Sequence, residues 1–370
     1  MKNLSTLTVT LGVLLLSFNS SCSKDAPKLK FEDQTIHELL SETVTSEGIP
    51  GMIAAIADSN GIMISGSAGV RKINSTEEFT SKDIIHLGSC TKAMTGTLLA
   101  TFITNNEITW ETTIIDVFPE LKDVILQVYH EVTLHQLLTH RSGIQANATN
   151  WEAFQDMEII ERRLSIMKEN LKVESQIPSG TFTYSNLGYM IAGCMAERIT
   201  GQSWETLMKT RIFDPLGMTS AGFGAPGTSN QIDQPWGHYK SNGQWIAIQS
   251  DNPEAIGPAG TVHCNIEDWV KFIDLFLKKG NTSILNRNLL DQLIEPIDDY
   301  ACGWGIVQRE WAGGTVLSHN GSNNMWYVSV WVAPEINRAF IAGTNSSDAN
   351  TATICDNSIG QLIVLNQDNQ

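Results

Sequence analysis

The sequence is poor in basic residues, has no paired-cysteine motif and offers a membrane only one short apolar run. Lys and Arg number 24 against 40 Asp and Glu, giving a net charge of −16 over 370 residues. No basic tract is long enough to follow a phosphate backbone, which excludes nucleic acid as a partner. The six cysteines show no CxxC spacing, which argues against a structural zinc and against a disulfide-framed scaffold. Cys90, Cys194, Cys264, Cys302 and Cys355 read as buried thiols. His130, His135 and His140 recur every five residues, and on a helix that step turns each side chain about 140° from the last, so they share no face for a metal. No metal or organic cofactor is expected. With 42% hydrophobic and 17% charged residues, the chain can bury a sizeable core, and disorder is excluded as its main state.

The one apolar run, Leu4 to Phe18, follows Lys2, is interrupted by Thr and Ser, and is short for a spanning helix. Residues 1–21 therefore read as an export signal. The stretch "LLLSFNSSCSKD" resembles the lipobox of a bacterial lipoprotein, cleaved before a lipid-modified cysteine, here Cys22. Asn19 departs from the aliphatic residue usual in that pattern, and ordinary signal cleavage nearby is the alternative. Residues 22–34 then form an envelope linker. The expectation is a monomer of the cell envelope that meets membrane only through a lipid anchor. The sequon at Asn147 carries little weight in such a setting.

Met52 to Val70 reads as two strands around Ser59-Asn60-Gly61, whose Asn-Gly pair suits a tight hairpin. From Ser89 the period becomes helical, with Met94, Leu98 and Phe102 as a buried stripe closed by Asn105-Asn106. A mostly helical region with long connections follows to about residue 300, including Leu187 to Thr200 ended by Gly201. Its clearest helix is Asn265 to Lys279, capped by Asn265, with Asp268 at the capping-box position, Trp269, Phe272, Ile273 and Phe276 as its stripe and Gly280 as its stop. After residue 300, "CGWGIV", "GGTVLSH", "WYVSVWVAP" and "RAFIAGTN" read as strands, and Asn350 to Asn366 as a helix. Strands at both ends and helices between imply an α/β (α+β) fold, an antiparallel sheet whose N- and C-terminal parts pair across a helical insertion. The domain spans 35–366, with a sheet part at about 35–88 and 300–366, a helical part at about 89–299, and a tail at 367–370. Residues 222–260 are rich in Gly, Pro and Asn and read as a loop over a site.

Three short motifs could carry chemistry. Ser89 and Lys92 stand one helical turn apart at a helix start, where backbone N–H groups and the dipole favour developing negative charge. Ser21 with Lys24 and Ser165 with Lys168 repeat the spacing by chance. Tyr184-Ser185-Asn186 precedes the next helix, a tyrosine beside an amide that suits proton transfer. His319-Asn320-Gly321-Ser322 ends a strand, with a glycine that lets a ligand approach the backbone. His86 to Gly88 repeats the His-x-Gly spacing and is better read as local packing.

In that order, Ser-x-x-Lys, Tyr-x-Asn and His-x-Gly in place of Lys-Thr-Gly resemble the serine β-lactamase and penicillin-binding-protein superfamily, class C-like branch. That branch includes D-alanyl-D-alanine carboxypeptidases, D-amino-acid amidases and β-lactamase-fold esterases. The stretches "VTLHQLLTHRSGI", "PSGTFTYSNLGY", "IFDPLGM" and "PAGTVHCNIEDWVKF" add to the likeness. The resemblance implies the β-lactamase/transpeptidase-like fold and an acyl-enzyme on Ser89. It further implies that Lys92 and Tyr184 share the proton work, either being the general base, and that Asn186 bonds the substrate amide or Lys92. The backbone N–H groups of Ser89 and Ser322 would form the oxyanion hole. Asn320 and Gly321, with Trp236 and Trp245 of the long loop, are the expected substrate contacts. His319 is the departure: a lysine there would hold a permanent charge, and histidine is mostly neutral at pH 7. D-amino-acid peptides of the D-Ala-D-Ala type lead as substrates, with ester hydrolysis or weak β-lactamase activity as alternatives. A penicillin-recognising sensor or scaffold is the non-enzymatic alternative.

Overall fold

The computed structural model describes residues 33–277 and 282–369. The export segment, Cys22, most of the linker and the expected stop at Gly280 lie outside the described residues. Ile36 and Leu40, one turn apart and fully buried, seat an N-terminal helix, Asp33–Glu47, that the strand-first expectation does not include. Its hydrophobic positions are few, and what stabilises it is the sheet beneath: a methyl on Gly66 would stand 2.6 Å from Ile36 Cγ2.

The hairpin forms as the Asn-Gly turn predicts, with β1 at Gly51–Asp58 and β2 at Gly61–Gly69. A two-residue strand β3, Ile85–His86, leads into the helix Thr91–Thr104. That helix is not one-sided. Every residue from Thr91 to Phe102 is buried, because the helix runs through the core, and its threonines turn their hydroxyls to nearby carbonyls such as those of Ala93 and Pro258.

The middle of the chain holds the helices Ile159–Asn170, Asn186–Thr200 and Ile266–Leu277, but it also contributes strands. Residues 222–260 are not a plain loop: they include β4 at Gly222–Phe223, a hairpin of β5 at Gly237–Ser241 with β6 at Gln244–Ile248, and a helical turn at Gly257–Gly260. Strand β7, Val262–Cys264, lies between β3 and β4 in a small sheet. Asn265 caps its helix, its Oδ1 accepting from the Asp268 N–H at 2.8 Å. Asp268 does not complete a capping box, since its carboxylate takes the Ser220 N–H and hydroxyl while the Asn265 N–H goes to Ser220 Oγ.

Strands β8 at Gly305–Arg309, β9 at Gly314–Ser322, β10 at Tyr327–Ala333 and β11 at Arg338–Thr344 complete a six-stranded antiparallel sheet of order β2-β1-β11-β10-β9-β8. Met52 opposes Thr344 and Ala57 opposes Ala339, so the two chain ends pair as expected. Val328, Val330 and Val332 of β10 face the large core against the helical part, while Tyr327 and Trp331 face the N-terminal helix and the C-terminal helix Thr351–Asp368. That last helix runs two residues into the expected tail.

Candidate active site

The helix Thr91–Thr104 is preceded by a single 3₁₀ turn, Gly88–Cys90, that presents Ser89. Gly88 has φ +48°, and a side chain on it would run into the backbone of Gly321 and Ser322. A methyl on Gly321 would strike the Leu87 carbonyl. Two glycines thus allow the backbone around Ser89 to lie against the end of β9, which brings Ser89 and Ser322 together.

Lys92, one turn on, is fully buried. Its Nζ lies 3.2 Å from Ser89 Oγ, 2.8 Å from Asn186 Oδ1 and 2.8 Å from the Ala259 carbonyl. All three partners are neutral. Burial without a carboxylate holds the amine well below the ordinary lysine range, with the Tyr184 ring face 4.6 Å from Nζ.

Tyr184 precedes Ser185, the N-cap of the helix Asn186–Thr200, whose Oγ accepts from the Gly188 N–H. Its hydroxyl shares a hydrogen bond with Ser89, but burial is the larger influence and pushes the phenol up. The tyrosine is therefore a proton carrier and not a standing phenolate. His140 brackets it, taking the Ser185 N–H on Nδ1 at 3.0 Å and the Thr183 N–H on its carbonyl at 2.8 Å, with its ring 4.4 Å from that of Tyr184. Burial keeps His140 well below the usual imidazole range.

His319 is buried on β9, where its Nδ1–H donates to the Asn320 carbonyl at 2.7 Å and the Tyr300 hydroxyl approaches Nε2 at 3.4 Å. Burial first, then Lys92, lowers it to about 4. It supplies no positive charge at neutral pH.

The other expected residues separate into two groups. Asn320 and Gly321 are at the site, and Ser329 donates to Asn320 Oδ1 at 2.7 Å. Trp236 and Trp245, by contrast, pin the β5–β6 region and are not among the residues that line the cavity beside Tyr184 and His319. Trp236 donates to the Gln231 carbonyl under Lys72, and Trp245 donates to the Gly48 carbonyl beside Lys240. Ser165 is half-buried with its hydroxyl on Met157, and His86 accepts from the Gly88 N–H while its Nε2 lies 2.7 Å from Asp251, a packing role. A cavity of about 350 Å³ opens beside Tyr184 and His319. Ser89, Lys92, Tyr184, Asn186 and His319 thus come together from three separate segments beside this cavity, the geometry of a serine hydrolase.

A family model described as Beta-lactamase matches residues 36–359. The chain belongs to the beta-lactamase family. It is 22% identical over 338 residues to the unguisins hydrolase of Aspergillus campestris, covering 85% of this chain and 62% of that protein, so it spans less than two thirds of that relative. It is 25% identical over 307 residues to penicillin-binding protein 4 of Amycolatopsis lactamdurans, covering 78% of this chain and 79% of that one. Among solved structures, the octameric penicillin-binding protein homologue from Pyrococcus abyssi superposes with TM-score 0.74 at 22% identity, covering 91% of this chain and 78% of that one. A class C beta lactamase from Rhodobacter sphaeroides gives 0.71 at 17% over 88% and 98%. The D-amino acid amidase from Ochrobactrum anthropi SV3 gives 0.71 at 19% over 90% and 96%. These likenesses show the shared fold, including the antiparallel sheet with flanking helices.

In this member of the beta-lactamase family, four site residues carry no readable signal of their role in the sequence. Asn147 accepts from Asn186 Nδ2 at 2.9 Å, although the sequence shows it only as a sequon. His140, one of three evenly spaced histidines, is a neutral bracket for Tyr184. Tyr300 and Asp356 line the cavity from segments without any local motif.

Proposed function

We propose that this chain is an acyl hydrolase that forms an acyl-enzyme on Ser89 and acts on amides of D-amino acids. The observation that carries the chemistry is Lys92, buried among neutral acceptors 3.2 Å from Ser89 Oγ. An amine held there in its neutral form can take the Ser89 proton as Oγ bonds to the carbonyl carbon. The oxyanion would rest on the Ser89 and Ser322 N–H groups. As the carbon–nitrogen bond breaks, Tyr184 gives its proton to the leaving amine and recovers one from Lys92. Water then attacks the acyl carbon, and Ser89 regains its proton. Ester substrates would use the same steps.

The substrate class rests on the likeness to a D-amino acid amidase and on the neutral His319, which disfavours D-Ala-D-Ala carboxypeptidase action because a terminal carboxylate meets no cation there. D-alaninamide and D-phenylalaninamide should release ammonia faster than their L-enantiomers, with Ser89→Ala silent. Equal or faster L-turnover removes the D-amide reading and leaves the acyl chemistry. The neutrality of His319 has its own check. Plots of kcat/KM against pH for carboxylate-bearing and uncharged substrates should run parallel between about pH 6 and 9, because an imidazole lowered to about 4 changes no charge in that range. Profiles that diverge near neutrality would show a protonated His319.

Export and lipid attachment at Cys22 belong to the same proposal. Wild-type protein is expected in the detergent phase and Cys22→Ser in the aqueous phase. Equal partitioning of the two would remove the anchor.

A further inference from the structure

The geometry points to a leaving-group subsite that selects against carboxylates and for cations, with Asp356 as its specificity-determining residue. This rests on Tyr184 serving as the proton donor to the leaving group, which makes the cavity beside Tyr184 the place that group occupies. The cavity of about 350 Å³ is lined by Tyr184, Ser318, His319, Asn320, Trp331 and Asp356, among others. Its formal charge comes from one residue. His319 is neutral, Lys92 is buried behind Ser89 among neutral acceptors, and the remaining walls are hydroxyls, an amide and an indole.

Asp356 sits on the C-terminal helix Thr351–Asp368 and reaches the Ser329 hydroxyl, the group that also bonds Asn320. Among the described residues, no Lys, Arg or His forms an ion pair with it. Asp356 is solvent-exposed on one side, and desolvation by the cavity wall outweighs the Ser329 hydrogen bond to raise its carboxyl from the ordinary range, as expected of a carboxylate that lacks a counter-charge and would gain one from a ligand. The cation that comes near the wall, Arg309, has its guanidinium over the Trp331 ring at 5.3 Å and on the Gln308 carbonyl, and is not a lining residue. Nor can Arg141 serve: it is committed to Asp298 and to the Thr139 and Ile297 carbonyls. A leaving fragment with a carboxylate would therefore enter a pocket holding a negative charge and no available positive one. A fragment ending in an ammonium would pair with Asp356 beside the Trp331 ring.

Three esters of N-acetyl-D-alanine test this: with choline, with its neutral isostere 3,3-dimethylbutanol, and with 4-hydroxybutyrate. The wild type is expected to rank them choline, neutral, carboxylate, with about a tenfold step in kcat/KM between choline and its isostere. Asp356→Asn, nearly isosteric, should bring the choline-to-isostere ratio close to one, and Asp356→Lys should place the carboxylate ester first. A wild type that prefers the carboxylate ester, or a ranking that survives Asp356→Asn, overturns the subsite. If none of the esters turns over, their competition against fluorophosphonate labelling of Ser89 reads the same ranking. Failure of the underlying chemistry looks different, since labelling would then persist in Ser89→Ala.

Discussion

Ser89→Ala is expected to abolish covalent labelling by a fluorophosphonate, while Ser165→Ala labels fully, because among the described residues only Ser89 has an amine against its hydroxyl. Lys92→Met should then lower kcat/KM by about 10² to 10⁴, the usual contribution of a positioned proton acceptor. The sign of the pH dependence follows from the direction of the Lys92 shift. A base works only when unprotonated, so kcat/KM should fall as pH drops through the Lys92 pKa and Nζ gains its proton. Because burial lowers that pKa, the loss should begin at a lower pH than an ordinary lysine would allow. The methionine variant should lose this limb altogether. It leaves Asn186 Oδ1 and the Ala259 carbonyl without a donor, a cost of about 1–3 kcal/mol, so a thermal melt must show the variant folded. A folded Lys92→Met enzyme with wild-type activity would remove the lysine from the proton path.

Tyr184→Phe is expected to cost about 10² to 10⁴ in kcat/KM on amides, whose leaving amine must be protonated. The loss should be much smaller on p-nitrophenyl esters, whose leaving group departs as an anion. The ring itself is held by His140 at 4.4 Å and by the bonds from Thr183 and Ser185 to that residue, so removing the hydroxyl leaves the fold in place. Equal losses on amides and esters would assign Tyr184 to the activation of Ser89, in place of Lys92. No loss on either would make Tyr184 a packing residue.

The parts of the site that can be read from the chain are those that depend on neighbours in sequence. Ser89 and Lys92 meet because a helix places i and i+3 on one face, and Gly321 beside a strand end predicts close backbone approach. The alternating runs after residue 300 are long enough to specify strands whichever way they pair. The N-terminal helix is not legible in the same way, because Ile36 and Leu40 form too short a pattern to stand out, and only the sheet beneath gives them something to bury against. The helix Thr91–Thr104 reads as one-sided because Met94, Leu98 and Phe102 are its large residues. Its small Thr, Ala and Gly positions are what let it pass through the core.

By itself, the sequence determined the order of the three motifs, the hairpin, the capped helix at Asn265 and the acidic charge balance. Protonation was beyond its reach. Lysine and tyrosine each start from one intrinsic acidity wherever they occur in a chain, and burial decides that Lys92 loses its proton readily and that Tyr184 keeps its own, while burial and Lys92 together take His319 further below the mostly neutral state its ordinary acidity already implies. Long-range assembly likewise brought Tyr300 and Asp356 to the cavity, set Asn147 against Asn186 and His140 against Tyr184, and held Trp236 and Trp245 in the β5–β6 region. Side-chain spacing along a chain is a local property, whereas desolvation and charge pairing depend on what the fold places around each group.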